Sequence, residues 1–127
     1  MKIAAVSDAE LSVLQVLWDR GRLTTRQITR QLYPKQTASD LATVQKLVSR
    51  LETKRLVERD RSSFAHTIAP LIDRDRFAAA QLAEGAAKLA RGSLGPLLVH
   101  LVESAQLSPD ELDEIRKLID KHRKKRH

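Results

Sequence analysis

The order of hydrophobic periods along residues 7–72 constrains the fold of this chain most strongly. Three segments place apolar residues at the spacing of an amphipathic helix, and two short strand-like segments follow them. Three compact helices followed by a two-stranded hairpin are typical of a winged helix-turn-helix. We therefore expect a winged helix-turn-helix domain at residues 1–72.

Capping signals mark the ends of the first two helices. Ser7 and Glu10, and again Thr24 and Gln27, have the spacing of a capping box. In this motif the side chain of each residue accepts a hydrogen bond from the backbone N–H of the other. Pro34 is expected to end the second helix, because the residue before a proline is disfavoured in the α conformation.

The third helix has the most informative surface. We expect Asp40 as its N-cap and a span from about Leu41 to Lys54, with the apolar residues on one face. The opposite face differs from the Glu/Lys mixture of an ordinary solvated helix, because its side chains are short or able to form hydrogen bonds. They are Ala42, Thr43, Gln45, Lys46, Ser49 and Arg50.

Two short strands are predicted after this helix, at Leu56–Arg59 and Ala65–Ile68. The polar sequence DRSS joins them, and Pro70 is expected to close the hairpin. The resulting wing carries Arg59 and Arg61.

The residue types on the third helix suit the major groove of DNA, which an α-helix fits. Gln45 can form two hydrogen bonds with an adenine edge, Lys46 can bind guanine or phosphate, and Ala42 can contact a thymine methyl. Arg59 and Arg61 would bind phosphate or the minor groove, which positions the protein. A polar helix face usually has no role beyond contact with solvent. Here the helix is the third one and directly precedes a basic hairpin, and this position favours DNA binding. The predicted DNA-binding residues are therefore the six on the helix and these two arginines.

The charge distribution agrees with a polyanionic partner at the N-terminal end. The chain has a formal net charge of +7, and residues 1–72 carry 12 Lys/Arg against 7 Asp/Glu. Residues 73–120 carry 6 against 9, and the basic tail KHRKKRH follows. The N-terminal part is the predicted DNA-binding unit.

Residues 73–127 are predicted to form a helical dimerisation region with a basic tail. Their pattern is alanine-rich and helical, and Ser108, Pro109 and Glu111 mark the start of the last helix. Large side chains are few there, and amphipathic helices without a core of their own generally dock on another chain. The predicted class is thus mostly α (α+β), a winged helix-turn-helix followed by a helical arm.

Several other classes of function are disfavoured by the sequence. The chain has no cysteine, and its histidines lack the spacing of metal ligands. It also has no glycine-rich phosphate loop and no ordering of a catalytic triad, so we expect neither an enzyme nor a metal or cofactor site. No apolar run has the length of a membrane span, so we expect a cytoplasmic protein.

Several motifs resemble the penicillinase-repressor family of the BlaI/MecI/CopY type. They are SDAELSVLQVLWDRG, LTTRQITRQL, ATVQKLVSRLETKRLVERD, HTIAPLI and GSLGPLLVHLVESAQLSPDELDEIRKLI, which together run from about Val6 to Ile119. The resemblance implies a homodimeric winged-helix repressor of inverted-repeat operators. Such operators often precede β-lactamase or efflux genes and the repressor's own gene.

The resemblance also implies a mode of induction. A membrane-bound sensor with a zinc protease domain commonly leads to cleavage within the arm of such repressors, and the corresponding bond here would be His100–Leu101. The best-studied members carry Asn-Phe at this place. The copper-responsive branch uses C-terminal cysteines, which this chain lacks. Arg55 stands where glycine usually ends the recognition helix, so we expect a variant helix end.

Two alternatives remain open at the level of sequence. The chain could be a repressor released by a small molecule bound between wing and arm, although its four aromatic residues, Trp18, Tyr33, Phe64 and Phe77, are few for a pocket. It could also be a winged helix that binds protein and not DNA, since fold does not fix function.

Overall fold

The computed structural model describes residues 3–89 and 94–125 and is mostly helical, with one small antiparallel sheet. The elements are α1 (Asp8–Arg20), β1 (Leu23–Thr24), α2 (Thr25–Leu32), α3 (Ala38–Thr53), β2 (Val57–Asp60), β3 (Thr67–Pro70), α4 (Arg74–Leu89), α5 (Gly95–Ser104) and α6 (Pro109–Lys125). This order confirms the predicted fold class.

The chain divides into two compact units, Met1–Glu84 and Gly85–His127. The first unit extends past residue 72, because Phe77 of α4 is buried in its core. Trp18 fixes this extension: its indole N–H donates to the carbonyl of Ile72 at 2.9 Å, and its ring lies 5.5 Å from that of Phe77. The assignment of DNA binding to 1–72 and dimerisation to 73–127 stays a prediction.

Both predicted capping boxes are present. The Glu10 backbone N–H donates to Ser7 Oγ at 3.1 Å, and the Ser7 N–H donates to Glu10 Oε1 at 3.1 Å. Thr24 and Gln27 form the same pair of bonds at the start of α2. Helix α2 ends at Leu32, ahead of Pro34, as the proline predicts.

The start of α3 differs from the prediction. The N-cap is Thr37 and not Asp40, and the helix begins at Ala38. Asp40 is the third helical residue, where its carboxylate accepts the Thr37 N–H at 3.1 Å while Thr37 Oγ1 accepts the Asp40 N–H at 3.0 Å. Asp40 can therefore play the part that Glu or Gln plays in the usual capping box.

The end of α3 also corrects an expectation. Arg55 adopts the left-handed conformation (φ 61°), and its N–H donates to the Glu52 carbonyl. The Leu56 N–H donates to the Leu51 carbonyl at 3.0 Å, and both of these leucines are buried. These bonds form a regular Schellman motif, so the expected variant helix end is wrong: arginine takes the usual glycine conformation.

The three strands are ordered β1-β3-β2, and β2 and β3 form the predicted hairpin. Val57 pairs with Pro70 and Asp60 with Thr67, which places both strands one to two residues later than predicted. The short strand β1 was not predicted; its Leu23 pairs with Ile68.

The core of the first unit lies between the three helices and the sheet. The apolar side of α3 lies in it: Leu41 is half-buried, and four residues are at most 5% exposed, namely Val44, Leu47, Val48 and Leu51. They are joined by residues of α1, α2 and the sheet, including Val13, Leu14, Leu17, Ile28 and Ile68. This packing fixes which side of α3 faces solvent.

The second unit leaves its large apolar side chains accessible. On α5 and α6 the side chains between 37% and 59% exposed are Leu98, Val99, Leu101, Val102, Leu112, Ile115, Leu118 and Ile119. None of the helices in the described part of the chain combines the length and apolar character needed to cross a membrane.

Candidate nucleic-acid interface

The outer face of α3 brings six predicted residues together. All six are exposed: Ala42, Thr43, Gln45, Lys46, Ser49 and Arg50. Because the opposite side of the helix is buried, these side chains form one continuous surface. The structure thus places them as the sequence predicts, while their contact with DNA stays a prediction.

Two features leave hydrogen-bonding capacity on this face. Within residues 3–89 and 94–125, neither Lys46 nor Arg50 belongs to an ion pair. The hydroxyl of Thr43 donates to the Ser39 carbonyl at 3.0 Å, so its oxygen can still accept a bond from outside. The face therefore offers cationic donors and at least one acceptor.

The two wing arginines are held by a carboxylate of α3. Arg59 Nε lies 3.3 Å from Glu52 Oε1, and Arg61 donates through a terminal nitrogen to Glu52 Oε2 at 3.1 Å. The Arg59 side chain is only 17% exposed, whereas that of Arg61 is 61% exposed. Arg59 therefore braces the wing against α3, and Arg61 is the more accessible cation.

Glu52 is favoured in its charged form by these arginines. Burial raises the pKa of Glu52, but the hydrogen bonds from Arg59 and Arg61 and their positive charges outweigh it and bring the pKa below its ordinary value. The carboxylate is thus ionised at neutral pH.

The wing tip is ordered by local hydrogen bonds. The Ser62 N–H donates to Asp60 Oδ1 at 2.8 Å, and Ser63 Oγ donates to the Ala65 carbonyl at 2.9 Å. Phe64 lies between these turns with its side chain fully exposed. The bonds to Ser62 also hold the pKa of the Asp60 carboxyl below its usual range.

A cleft of about 360 Å³ separates α2, α3 and the wing. Arg26 of α2, Gln45 of α3 and Phe64 of the wing line it. Arg26 and Phe64 were not predicted from the sequence, because neither residue belongs to the third helix and its helical periodicity gives no information about them. The only available signals were the position of Arg26 at the start of the second helix and of Phe64 in the predicted turn.

A partly buried ion pair joins the start of α1 to the end of α3. Lys54 Nζ donates to Glu10 Oε2 at 2.6 Å and to the Ala5 carbonyl at 2.8 Å. Burial raises the pKa of Glu10, but the bonds from Lys54 and Ser7 lower it more, so the net pKa lies below the ordinary value. The capping box of α1 and the end of α3 are therefore coupled through Glu10.

The two residues of the predicted cleavage bond belong to the second unit. His100 and Leu101 lie within α5, and both are exposed. Among the residues described, no group of three or more histidines or carboxylates is arranged to hold a metal ion.

Comparison with known proteins gives one family. Residues 6–121 match the family model described as "Penicillinase repressor". The chain is 25% identical to the penicillinase repressor of Bacillus licheniformis over 125 residues, which cover 98% of this chain and 97% of that protein. It is 22% identical to the methicillin resistance regulatory protein MecI of Staphylococcus aureus (strain N315) over 120 residues, or 94% and 97% of the two chains.

A solved structure agrees with the fold of the first unit. It is the solution structure of the DNA-binding domain of the repressor BlaI, with a TM-score of 0.50 and 31% sequence identity. The match covers 58% of this chain and 90% of that domain. The likeness therefore concerns the winged-helix part.

Proposed function

The chain belongs to the penicillinase repressor family, a family of transcriptional regulators and not of enzymes, and we propose that it is a DNA-binding transcriptional repressor. It would bind an inverted-repeat operator as a homodimer in the cytoplasm. The regulated genes would be of the β-lactamase or efflux type, together with its own gene.

The observation that carries this proposal is the outer face of α3. Six exposed side chains able to contact base edges or phosphates lie on the third helix, next to a wing with an accessible Arg61. An α-helix fits the major groove, and a basic wing beside it supplies backbone contacts. Gln45, Lys46 and Arg50 would make the most informative contacts.

Dimerisation is supported by the second unit. The apolar sides of α5 and α6 are exposed in the single chain, and a second copy would cover them. A twofold dimer would present two recognition helices to two half-sites, so the operator would be a near-palindrome. Linking two units also raises affinity through effective concentration, without any new DNA contact.

We propose proteolysis as the mode of induction, because the family resemblance implies it and a dimer held by the second unit would be sensitive to cleavage there. A membrane-bound sensor metalloprotease would act, directly or through a further step, on the bond His100–Leu101. That bond lies inside α5, so a turn of the helix must unwind before a protease can cleave it. The start of α5 has no side-chain cap at Leu94, which lowers the cost of such unwinding. Cleavage would separate the two DNA-binding units.

A second cleft favours small-molecule induction as the alternative. It measures about 490 Å³ and lies in the first unit, with Ile3 and Leu71 among its apolar lining. Arg55 and Arg76 supply positive charge there, and Asp73, which pairs with Arg76 at 3.6 Å, offsets part of it. An organic anion with an apolar body has the matching chemistry. Release of DNA by such a compound while the chain stays intact would support this alternative over proteolysis.

Selection of binding sequences from a random duplex library tests the main proposal. The intact chain should enrich a near-palindromic sequence. It should bind that sequence as two chains per duplex, more tightly than a scrambled duplex and with a steep dependence on salt. Failure to enrich any sequence, with equal and weak binding to all duplexes, would refute the repressor assignment and favour a protein-binding module.

Single substitutions in the intact chain test whether the outer face of α3 contacts DNA. Gln45→Ala should lower affinity for the selected sequence by about tenfold or more for each half-site, because a bidentate base contact is lost. Gln106→Ala, the same change at an exposed position of the second unit, is the matched control. Equal effects of the two changes would contradict the assignment of the α3 face.

The dimer has its own test. Ile115→Glu on α6 should shift the intact chain towards monomer in sedimentation velocity, because it places a charge on the apolar side. Lys117→Glu, on the polar side of the same helix, should leave the dimer intact. A monomeric wild-type chain at all concentrations would refute the proposed homodimer.

A further inference from the structure

Glu52 is an unexpected residue on the DNA-reading side of α3. It lies three residues after Ser49 and seven after Gln45, which places all three on one stripe of the helix. A carboxylate at this position would face DNA bound to α3, and its negative charge would repel the DNA phosphates. Something in the structure must therefore offset its charge.

The offset comes from the wing. Both carboxylate oxygens of Glu52 are occupied, one by Arg59 at 3.3 Å and one by Arg61 at 3.1 Å. The Arg59–Glu52 pair is partly shielded from solvent, with side chains 17% and 29% exposed, whereas the Arg61 side chain is 61% exposed and its pair with Glu52 is screened more strongly. A phosphate that binds Arg61 must replace or share its existing carboxylate partner. The arginine therefore contributes less to DNA affinity than an unpaired arginine would.

We propose that Glu52 sets the DNA affinity of each winged-helix unit by competing with DNA phosphate for Arg61 and Arg59. This inference rests on the proposed DNA-binding function and assigns Glu52 a role beyond it. Competition of this kind acts on all DNA sequences alike, because phosphates carry no sequence information.

Low affinity of a single unit has a consequence for repression. When each unit binds weakly, stable occupation of an operator depends on both units of the dimer being linked. Loss of the link then releases DNA effectively. Glu52 thereby makes DNA binding depend on dimerisation.

Glu52→Gln removes the negative charge of the side chain and keeps its size. Glutamine has the same length and keeps an oxygen that can accept a hydrogen bond from Arg59, so the wing keeps its position. The matched control is Glu58→Gln, because Glu58 also pairs with an arginine, Arg22, at 2.6 Å. Glu58 lies next to Arg59 on β2 and therefore points to the other face of the sheet.

The measurement is binding of the intact variants to the selected sequence and to a scrambled duplex over a salt series. Glu52→Gln should raise affinity for both duplexes by about three- to tenfold for each bound unit, and it should steepen the log–log salt slope by about one for each unit. Glu58→Gln should change affinity by less than about twofold, as expected for a charge on the far face. The unfolding midpoint of each variant is measured alongside.

A second comparison tests the competition directly. Arg61→Gln should reduce affinity more in the Glu52→Gln background than in the wild-type chain, because only there is Arg61 free of a carboxylate partner. Arg61 is largely exposed, so this change is not expected to disturb the fold.

Three results would overturn the inference. They are unchanged or lower affinity of Glu52→Gln, an equal gain with Glu58→Gln, and an Arg61→Gln effect that is the same in both backgrounds. Each would leave the repressor assignment standing if the wild-type chain still prefers its selected sequence. A wild-type chain without any sequence preference would refute the proposed function itself, together with this inference.

Discussion

Lys54→Ala is expected to destabilise the first unit, because it leaves the carboxylate of Glu10 buried without its cation. The Glu10 side chain is 4% exposed, and Lys54 Nζ lies 2.6 Å from Oε2. Removing one partner of a buried pair costs about 3–5 kcal/mol. The Glu10 carboxylate keeps the bond that it accepts from the Ser7 N–H, and Lys54 is 26% exposed, so we expect a loss at or just below the lower end of that range, about 2–3 kcal/mol.

The pH dependence of this loss has a defined sign. In the wild-type chain the pKa of Glu10 lies below its ordinary value, so its contribution to stability is present above about pH 4.3 and is lost as the pH falls through the folded-state pKa. Without Lys54, its hydrogen bond and its charge no longer lower the pKa of Glu10, which should rise from its wild-type position. The variant should therefore lose less stability than the wild-type chain as the pH falls. The difference between the two chains should therefore be largest at neutral pH and shrink in acid.

Trp18 provides the assay, because it is the single tryptophan of the chain and lies in the first unit. Urea unfolding of the intact proteins, followed by its fluorescence near neutral pH and in acid, gives both free energies. Lys46→Ala, a change of an exposed lysine on α3, is the control. A Lys54→Ala chain as stable as this control at neutral pH, or a difference that grows in acid, would refute the reasoning.

Three further changes follow from single contacts of the first unit. Arg55→Gly should raise the unfolding free energy by about 0.5–1 kcal/mol because it removes the left-handed strain, whereas Arg55→Ala should not; equal urea midpoints for the two would contradict this. Trp18→Phe should lower stability by about 1–2 kcal/mol, since the Ile72 carbonyl loses its donor, and circular dichroism during heating measures the loss. Phe64→Ser should leave the midpoint unchanged, because the side chain makes no buried contact, and a drop would show that the wing tip packs.

Features that depend on residues close together in the chain can be predicted from the amino-acid sequence. The capping boxes of α1 and α2 each involve residues three apart, so their spacing alone pairs Ser7 with Glu10 and Thr24 with Gln27. The two sides of α3 follow from the helical period in the same way. The start of α3 shows the limit of such signals. Thr37 and Asp40 both have side chains that can cap a helix, and the local sequence does not tell which of them is the N-cap.

Contacts between distant parts of the chain become visible only in the folded structure. Strand β1 is two residues long, too short for any period, and it exists because Leu23 pairs with Ile68. Trp18 fixes the start of α4 through a carbonyl 54 residues away. From the sequence, Arg59 and Arg61 are predicted to be cations available to DNA, yet in the structure both are paired with Glu52. The physical reason is that ion pairs and strand pairing depend on which surfaces the core brings together, and no local pattern along the chain records that choice.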